Sequence, residues 1–328
     1  MALSKFLDPK NDVAFRRIFG SEKNKDILIH FINDVLELKA GDRIKEVTFL
    51  STIQIPDIAA KKQSIVDVLC KDENGVQIII EMQVSPQEGF EKRAQYYAAK
   101  AYSRQLNKGK EEGARYKDLK AVIFIAISDT VIFKDKLSYK SDHIILDKES
   151  YANDLKDFSF TFIELPKFKI TDINLLTNIV EKWCFFFKNA DKTSEAELRR
   201  LIGSDEVIKR AYEELNQFNW TEEELLTYEQ EIKRIMDNQA AEDYQRNRIK
   251  QAEAEIMARG KAEGKAEGKA EGKAEGKAEG KAEGKAEGEA KKAIEIAQNL
   301  LSQNIDVNTI AAATGLSVEQ INGLKLKN

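Results

Sequence analysis

Residues 261–288 are seven uninterrupted Lys-Ala-Glu-Gly units, and they contain no side chain larger than alanine that is not charged. Such a stretch cannot bury an apolar face, so it cannot belong to a hydrophobic core. Whatever folds must fold before it or after it. Its fitness as a lone helix is also poor. Lys recurs every fourth residue and so does Glu, so like charges stack at i+4 and no Glu-to-Lys pair falls at i+3 or i+4. Each glycine costs roughly 0.8–1 kcal/mol against alanine in a helix. Two readings stand: a fraying spacer, or a helix packed on a neighbour, where glycine allows close approach and a Lys row faces a Glu row.

The rest of the chain is ordinary in its balance. The 328 residues carry 52 basic and 56 acidic side chains, a net charge of −4. That rules out a polybasic nucleic-acid coat and an acidic tail protein. Residues 1–190 hold 30 basic and 28 acidic residues, whereas 191–260 hold 11 and 17. No apolar run approaches the roughly 18 residues of a membrane span. Met1–Phe6 lack an apolar stretch, so no secretory signal is expected and the chain reads as cytoplasmic. Two cysteines, Cys70 and Cys184, fit a reducing compartment. The only histidines, His30 and His143, are far apart in sequence, which argues against zinc clusters and Ser-His-Asp triads. An active site here is built from carboxylates, amides, Lys and Arg.

Hydropathy patterning divides the chain into four parts: an α/β domain over 1–190, a helical extension over 191–260, the repeat over 261–288 and a small helical tail over 289–328. In the first part, Asp8-Pro9 is expected to open a helix carrying Val13, Phe15, Ile18 and Phe19. A second helix is expected from Lys25 to Leu38. Strands are expected over Ile44–Ile55, Ser64–Cys70 and Val76–Val84, then a helix over Phe90–Leu106. Leu119–Ile127 is apolar enough for a strand buried on both faces. Shorter strands follow near Ile144–Leu146 and Phe158–Leu165, and a helix over Ile173–Lys188. Thr221-Glu222-Glu223-Glu224 fits a capping box. In the tail, Asp306 and Ser317 can cap helices on either side of Thr314-Gly315-Leu316, the layout of a helix-turn-helix. Its net charge is zero, so it reads as an assembly surface, and a homo-oligomer through the tail is expected.

The strongest chemical signal lies in the hairpin. Asp67 interrupts one apolar strand, and Glu81 and Gln83 interrupt the next. A buried carboxylate is costly unless paired or bound to a cation. Residues 81 and 83 share a face because strand side chains alternate. Whether Asp67 shares it depends on the loop. A two-residue Asn74-Gly75 turn sets Asp67 opposite Met82. A three-residue loop, Glu73-Asn74-Gly75, pairs Asp72 with Val76 and sets Asp67 opposite Glu81. Gly75 suits the left-handed position such a loop needs. The second register is the one expected, and it puts two carboxylates within reach of one Mg²⁺, a hard cation that takes oxygen ligands.

The string Asp67…Glu81-Met82-Gln83 resembles the PD-(D/E)xK nuclease signature, with Gln in the Lys position. Around it stand Asp8-Pro9-Lys10-Asn11-Asp12-Val13-Ala14-Phe15, Ile18-Phe19-Gly20, Gly75, Phe90, Arg93, Tyr96-Tyr97 and Gln105-Leu106. This ordered set resembles the bacterial recombination-promoting nuclease/transposase family over residues 1 to about 190, and Ile310-Ala311…Thr314-Gly315-Leu316-Ser317 resembles its tail. The resemblance implies an αβββαβ core of restriction-endonuclease type that cleaves double-stranded DNA with Mg²⁺, or Mn²⁺ as a substitute. It implies Asp67 and Glu81 as metal ligands, with the Met82 carbonyl a third. Gln83 takes the place of the lysine that orients the attacking water or stabilises the phosphorane charge; it has no charge itself, but its amide can orient a water. Asp12 is a helper carboxylate in some members, and Arg93 and Tyr97, four apart on one helix face, are candidates for phosphate contact. Lys61 and Lys62 are candidates to replace the missing lysine in space. Two alternatives stand beside the nuclease: a catalytically weak or inactive DNA-binding regulator that keeps the fold, and an oligomeric scaffold organised by repeat and tail.

Overall fold

A computed structural model describes residues 5–54, 64–106, 115–203 and 205–325. The chain divides into two compact units, Met1–Asn238 and Gln239–Asn328.

The first unit is built on α1 (Asp12–Phe19), α2 (Lys25–Val35), β1 (Val47–Phe49), β2 (Ile53–Gln54), β3 (Ser64–Ile65), β4 (Val68–Asp72), β5 (Gln77–Gln83), α3 (Phe90–Ser103), β6 (Val122–Ser128), β7 (Lys140–Ile144), β8 (Phe158–Glu164), α4 (Ile179–Asn189), α5 (Glu195–Ile202), α6 (Glu206–Leu215) and the start of α7 (Glu222–Ser302). Six strands form one mixed sheet in the order β1-β4-β5-β6-β8-β7, and β2 pairs with β3 separately. The β4–β5 hairpin is antiparallel, whereas β5, β6 and β8 run parallel. As expected from its apolar run, β6 is central, with Phe124, Ile125, Ala126 and Ile127 fully buried.

The period-two alternation of β5 sorts its side chains onto two layers. Ile78, Ile80 and Met82 join a core with Phe15, Phe19, Phe31, Trp183 and Phe187, supplied by α1, α2 and α4. Its aromatic rings pack tightly: Phe31 lies 5.0 Å from Phe19 and 5.3 Å from Trp183. The second layer holds Leu69, Ile79 and Phe124 against α3. That helix offers Ala94, Ala98 and Ala101, one small stripe at helical spacing, so its axis can approach the sheet closely.

Several element boundaries differ from expectation, each for a local reason. Asn11, not Asp8, caps α1 by accepting from the Val13 N–H at 2.9 Å, while Asp8 accepts from the Lys10 N–H in the preceding turn. The expected strand over 64–70 is broken at Val66-Asp67, because the Asp67 N–H donates to the Glu81 carboxylate instead of a strand ladder. The expected strand over 44–55 is two short pieces, and Ile55 lies outside the described residues. The edge strand β7 sits earlier than Ile144–Leu146, anchored by His143, whose ring lies 5.0 Å from Phe133 and 5.4 Å from Phe162. Asn178 accepts from the Glu181 N–H and starts α4 afresh, so the helix expected from Ile173 begins later.

In the second unit the repeat lies within α7, and all of residues 261–288 are exposed. Beyond it, α8 (Val307–Thr314) and α9 (Val318–Lys325) bury Ala297, Ile310 and Ile321 together. Asp306 caps α8, and Gly315 ends it at φ +72°, a left-handed position that favours glycine.

Candidate active site

The hairpin register decides the site. Val68 pairs with Ile80 and Lys71 with Gln77, which extends to Asp67 opposite Glu81. The loop that sets it has the Asp72 N–H donating to the Val76 carbonyl at 3.0 Å and Gly75 at φ +85°. Asp67 and Glu81 then lock each other reciprocally. The Met82 N–H donates to Asp67 Oδ2 at 2.9 Å, and the Asp67 N–H donates to Glu81 Oε2 at 3.2 Å. The pair lies toward the carboxyl ends of parallel β5 and β6, where open α/β sheets place ligands.

Burial raises the proton affinity of both acids. Glu81 is 6% exposed. Burial, and then the charge of Asp67, push its carboxyl up to about 8, against the pull of Arg93. Asp67 is raised mainly by burial, opposed by the Met82 N–H and by Arg16. Asp12, at the start of α1, is raised by burial and then by the charges of Asp67 and Glu231. Three acids therefore feel one another in one place, although they do not form a closed cage: among the described residues no three His, Cys, Asp or Glu side chains group tightly enough to hold a metal alone.

The donor set suits a hard cation all the same. Mg²⁺ is commonly held by one or two carboxylates, with waters and substrate phosphates completing the shell. Asp67 and Glu81 supply such a pair, and a divalent cation offsets both the burial and the like-charge repulsion that lift Glu81.

Cations already ring the pair. Arg16 Nη2 lies 3.3 Å from Asp67 Oδ1, and Arg93 Nη2 lies 3.4 Å from Glu81 Oε1. Arg93 also bonds the side-chain oxygens of Gln83 and Gln87, and the Gln83 amide nitrogen donates to the Ser85 carbonyl. The Tyr97 ring stands 5.8 Å from the Arg93 guanidinium, and its hydroxyl is raised by burial. Arg234, from the first turns of α7, reaches within 3.9 Å of Asp12. The structure thus gathers Asp12, Asp67, Glu81, Gln83, Arg93 and Tyr97 around one end of the sheet. Lys61 and Lys62 lie outside the described residues.

Sequence reasoning missed Arg16 as the partner of Asp67. It sits four residues after Asp12, a spacing that offers a pair within α1 and gives no sign of the hairpin. Glu231 and Arg234 carried no local signal, because they meet Asp12 only through packing of α7.

Among the described residues no helix is long and apolar enough to cross a membrane. No curated protein and no solved structure matches the chain. The model of the Rpn/YhgA-like nuclease family C-terminal HTH domain matches residues 290–326, the three-helix tail. The model of the PD-(D/E)XK nuclease family transposase matches residues 9–245, which hold the whole sheet and every acid and arginine of the site, and the chain belongs to that family.

Proposed function

We propose that the chain is a divalent-metal-dependent endonuclease that breaks phosphodiester bonds of double-stranded DNA in a recombination or mobile-element setting. The observation that carries this reading is the lock across the hairpin, where buried Glu81 and half-buried Asp67 are each held by a backbone N–H from the opposite side, with Arg16 and Arg93 beside them.

Asp67 and Glu81 would hold Mg²⁺, with Mn²⁺ a substitute and the Met82 carbonyl a further oxygen donor. When bound, the cation stabilises the charge that builds on the phosphate. The chain's own groups do the rest. The Met82 N–H and the Asp67 N–H fix the two carboxylates, so their oxygens need no reorganisation when DNA arrives. Arg16 is 51% exposed along its side chain, free to leave Asp67 for a phosphate. Asp12 stands beside the pair with a carboxyl raised by burial and then by the charges of Asp67 and Glu231, which suits a group that takes up a proton late in the reaction. Residues 1–190 form the nuclease domain, 191–260 its helical extension, 261–288 a spacer and 289–328 the tail through which copies assemble. The protein acts in the cytoplasm.

The test is supercoiled plasmid incubated with Mg²⁺ and the full chain, wild type beside Asp67→Ala. Nicking or linearisation by the wild type and its loss in the variant support the reading. Equal cleavage by both sinks it.

A further inference from the structure

The signature that Asp67, Glu81 and Gln83 resemble carries a lysine where this chain has Gln83, so the site lacks a charge at that position. A charge stands beside it. Arg93 comes from α3, and its Nη2 bonds the Gln83 side-chain oxygen while lying 3.4 Å from Glu81 Oε1. Its Nη1 bonds the Gln87 side chain. Its guanidinium carbon lies 4.7 Å from the Phe90 ring centroid and 5.8 Å from that of Tyr97. Two amides, two rings and one carboxylate oxygen fix a single guanidinium.

The choice of partners matters. A structural arginine is usually neutralised by a close bidentate carboxylate. Here the carboxylate contact is long, and the close partners are neutral amides, which orient the group without cancelling its charge. Arg93 Nε is buried and has no hydrogen-bond partner among the described residues. Leaving a buried donor unsatisfied is costly, yet the remaining contacts hold the group in this pose. The side chain is 25% exposed, and the Nη1 contact with Gln87 lies at the surface while the Nη2 contacts are half-buried.

We propose that Arg93 supplies, at the scissile phosphate, the positive charge that lysine supplies in the ExK form of the signature, and that Gln83 is the positioning residue that holds it there. The glutamine is then half of a split lysine: its amide marks the place and the helix delivers the charge. The inference rests on the nuclease reading. It gives Gln83 a role in aiming a side chain and leaves the attacking water to other groups.

The experiment compares full-length wild type, Arg93→Met, Gln83→Ala, and the double variant Gln83→Lys with Arg93→Met. Single-turnover cleavage of a duplex with Mg²⁺ is measured beside duplex affinity by fluorescence anisotropy with Ca²⁺ in its place. Removing one preorganised donor from a developing oxyanion costs about 10²–10³-fold in rate, so Arg93→Met is expected to lose that much while its duplex affinity changes far less. Gln83→Ala is expected to lose about tenfold, because the guanidinium remains but is no longer aimed. Gln83→Lys in the Arg93→Met background is expected to recover at least tenfold, since it returns the charge to the strand. Rescue is a result that a purely structural role for Arg93 does not produce. The inference is overturned if Arg93→Met cleaves like wild type, or if it is impaired and the lysine gives no recovery. A wild type that cleaves no duplex with Mg²⁺ or Mn²⁺ overturns the nuclease reading itself, an outcome distinct from wild type and Arg93→Met cleaving alike.

Discussion

Two regions of this chain are dense in charge, and they use it in opposite ways. Around Asp67 and Glu81, the charges are buried or half-buried, and each side chain is held by another element. Along residues 261–288 there are seven lysines and seven glutamates, all exposed. Among the described residues the repeat makes ion pairs only at its two ends, Arg259 with Glu263 at 2.7 Å and Lys285 with Glu289 at 3.9 Å, where its period breaks. The first region turns a few charges into a site because burial makes each one expensive to leave uncompensated. The second spreads many charges so evenly that none meets its opposite within the repeat. The number of charges is therefore a poor guide to chemistry, and their registry is a good one.

The sharpest way to break that contrast is to remove one buried acid. Glu81→Gln is expected to abolish Mn²⁺ binding by titration calorimetry, whereas deletion of all seven repeat units leaves it unchanged. Loss of binding in the deletion would mean the repeat belongs to the core.

A second test uses pH. Glu81 is raised from an ordinary 4.5 to about 8, so between those values the folded state keeps a proton that the unfolded state has released. Stability without metal must then fall as pH rises through that window, by on the order of 1 kcal/mol per pH unit. The difference in melting temperature between wild type and Glu81→Gln, taken at each pH with a chelator present, cancels titrating groups remote from the site, His30 included, and reports Glu81 together with the acids whose charges reach it, Asp67 and Asp12. The wild type is expected to lose ground steadily from pH 5 to pH 8, and divalent cation is expected to flatten the trend. A constant difference removes the argument for a burdened acid.

Smaller effects are expected in the repeat. A Cβ at Gly268 meets nothing within 4 Å. Gly268→Ala is expected to strengthen the helix locally by about 0.5–1 kcal/mol, read as slower amide exchange over 261–288, with cleavage unaltered. Smallest of all, Lys265→Glu sets opposite charges at i+4 toward Lys261 and Lys269, and exchange there is expected to slow by less than about twofold per pair.

The same contrast separates what was readable in the sequence from what was not. The parity of a hairpin is local arithmetic, so Gly75 and the three-residue loop are enough to place Asp67 opposite Glu81, the register the hairpin adopts. The apolar run that became β6 and the caps at Thr221, Asp306 and Ser317 were equally local. The arginines were not. Arg16 stands four residues after Asp12 on its own helix, yet it turns to Asp67, 51 residues away in sequence. Arg93 was expected to share a face with Tyr97, which it does, but nothing in helical spacing announced that its guanidinium would settle on Gln83. Asp67 itself fell in a strand by pattern and lies at a bend, because a side-chain acceptor outcompeted the ladder for its N–H. Periodicity reports which face a residue takes, and long flexible cations choose partners only after the faces have met.

The repeat carries one more consequence, in its geometry. An α-helix turns about 100° and rises about 1.5 Å per residue, so a four-residue unit overshoots a full turn by about 40° and advances about 6 Å. The row of glycines in α7 therefore winds around the helix and would need about nine units to return to its starting azimuth. With seven units present, no straight partner can lie along a single kind of side chain from one end to the other. A change in unit number also cannot alter reach alone. Each unit gained or lost moves the end of the helix by about 6 Å and swings it by about 40° at once, so neighbouring repeat lengths differ as much in aim as in distance.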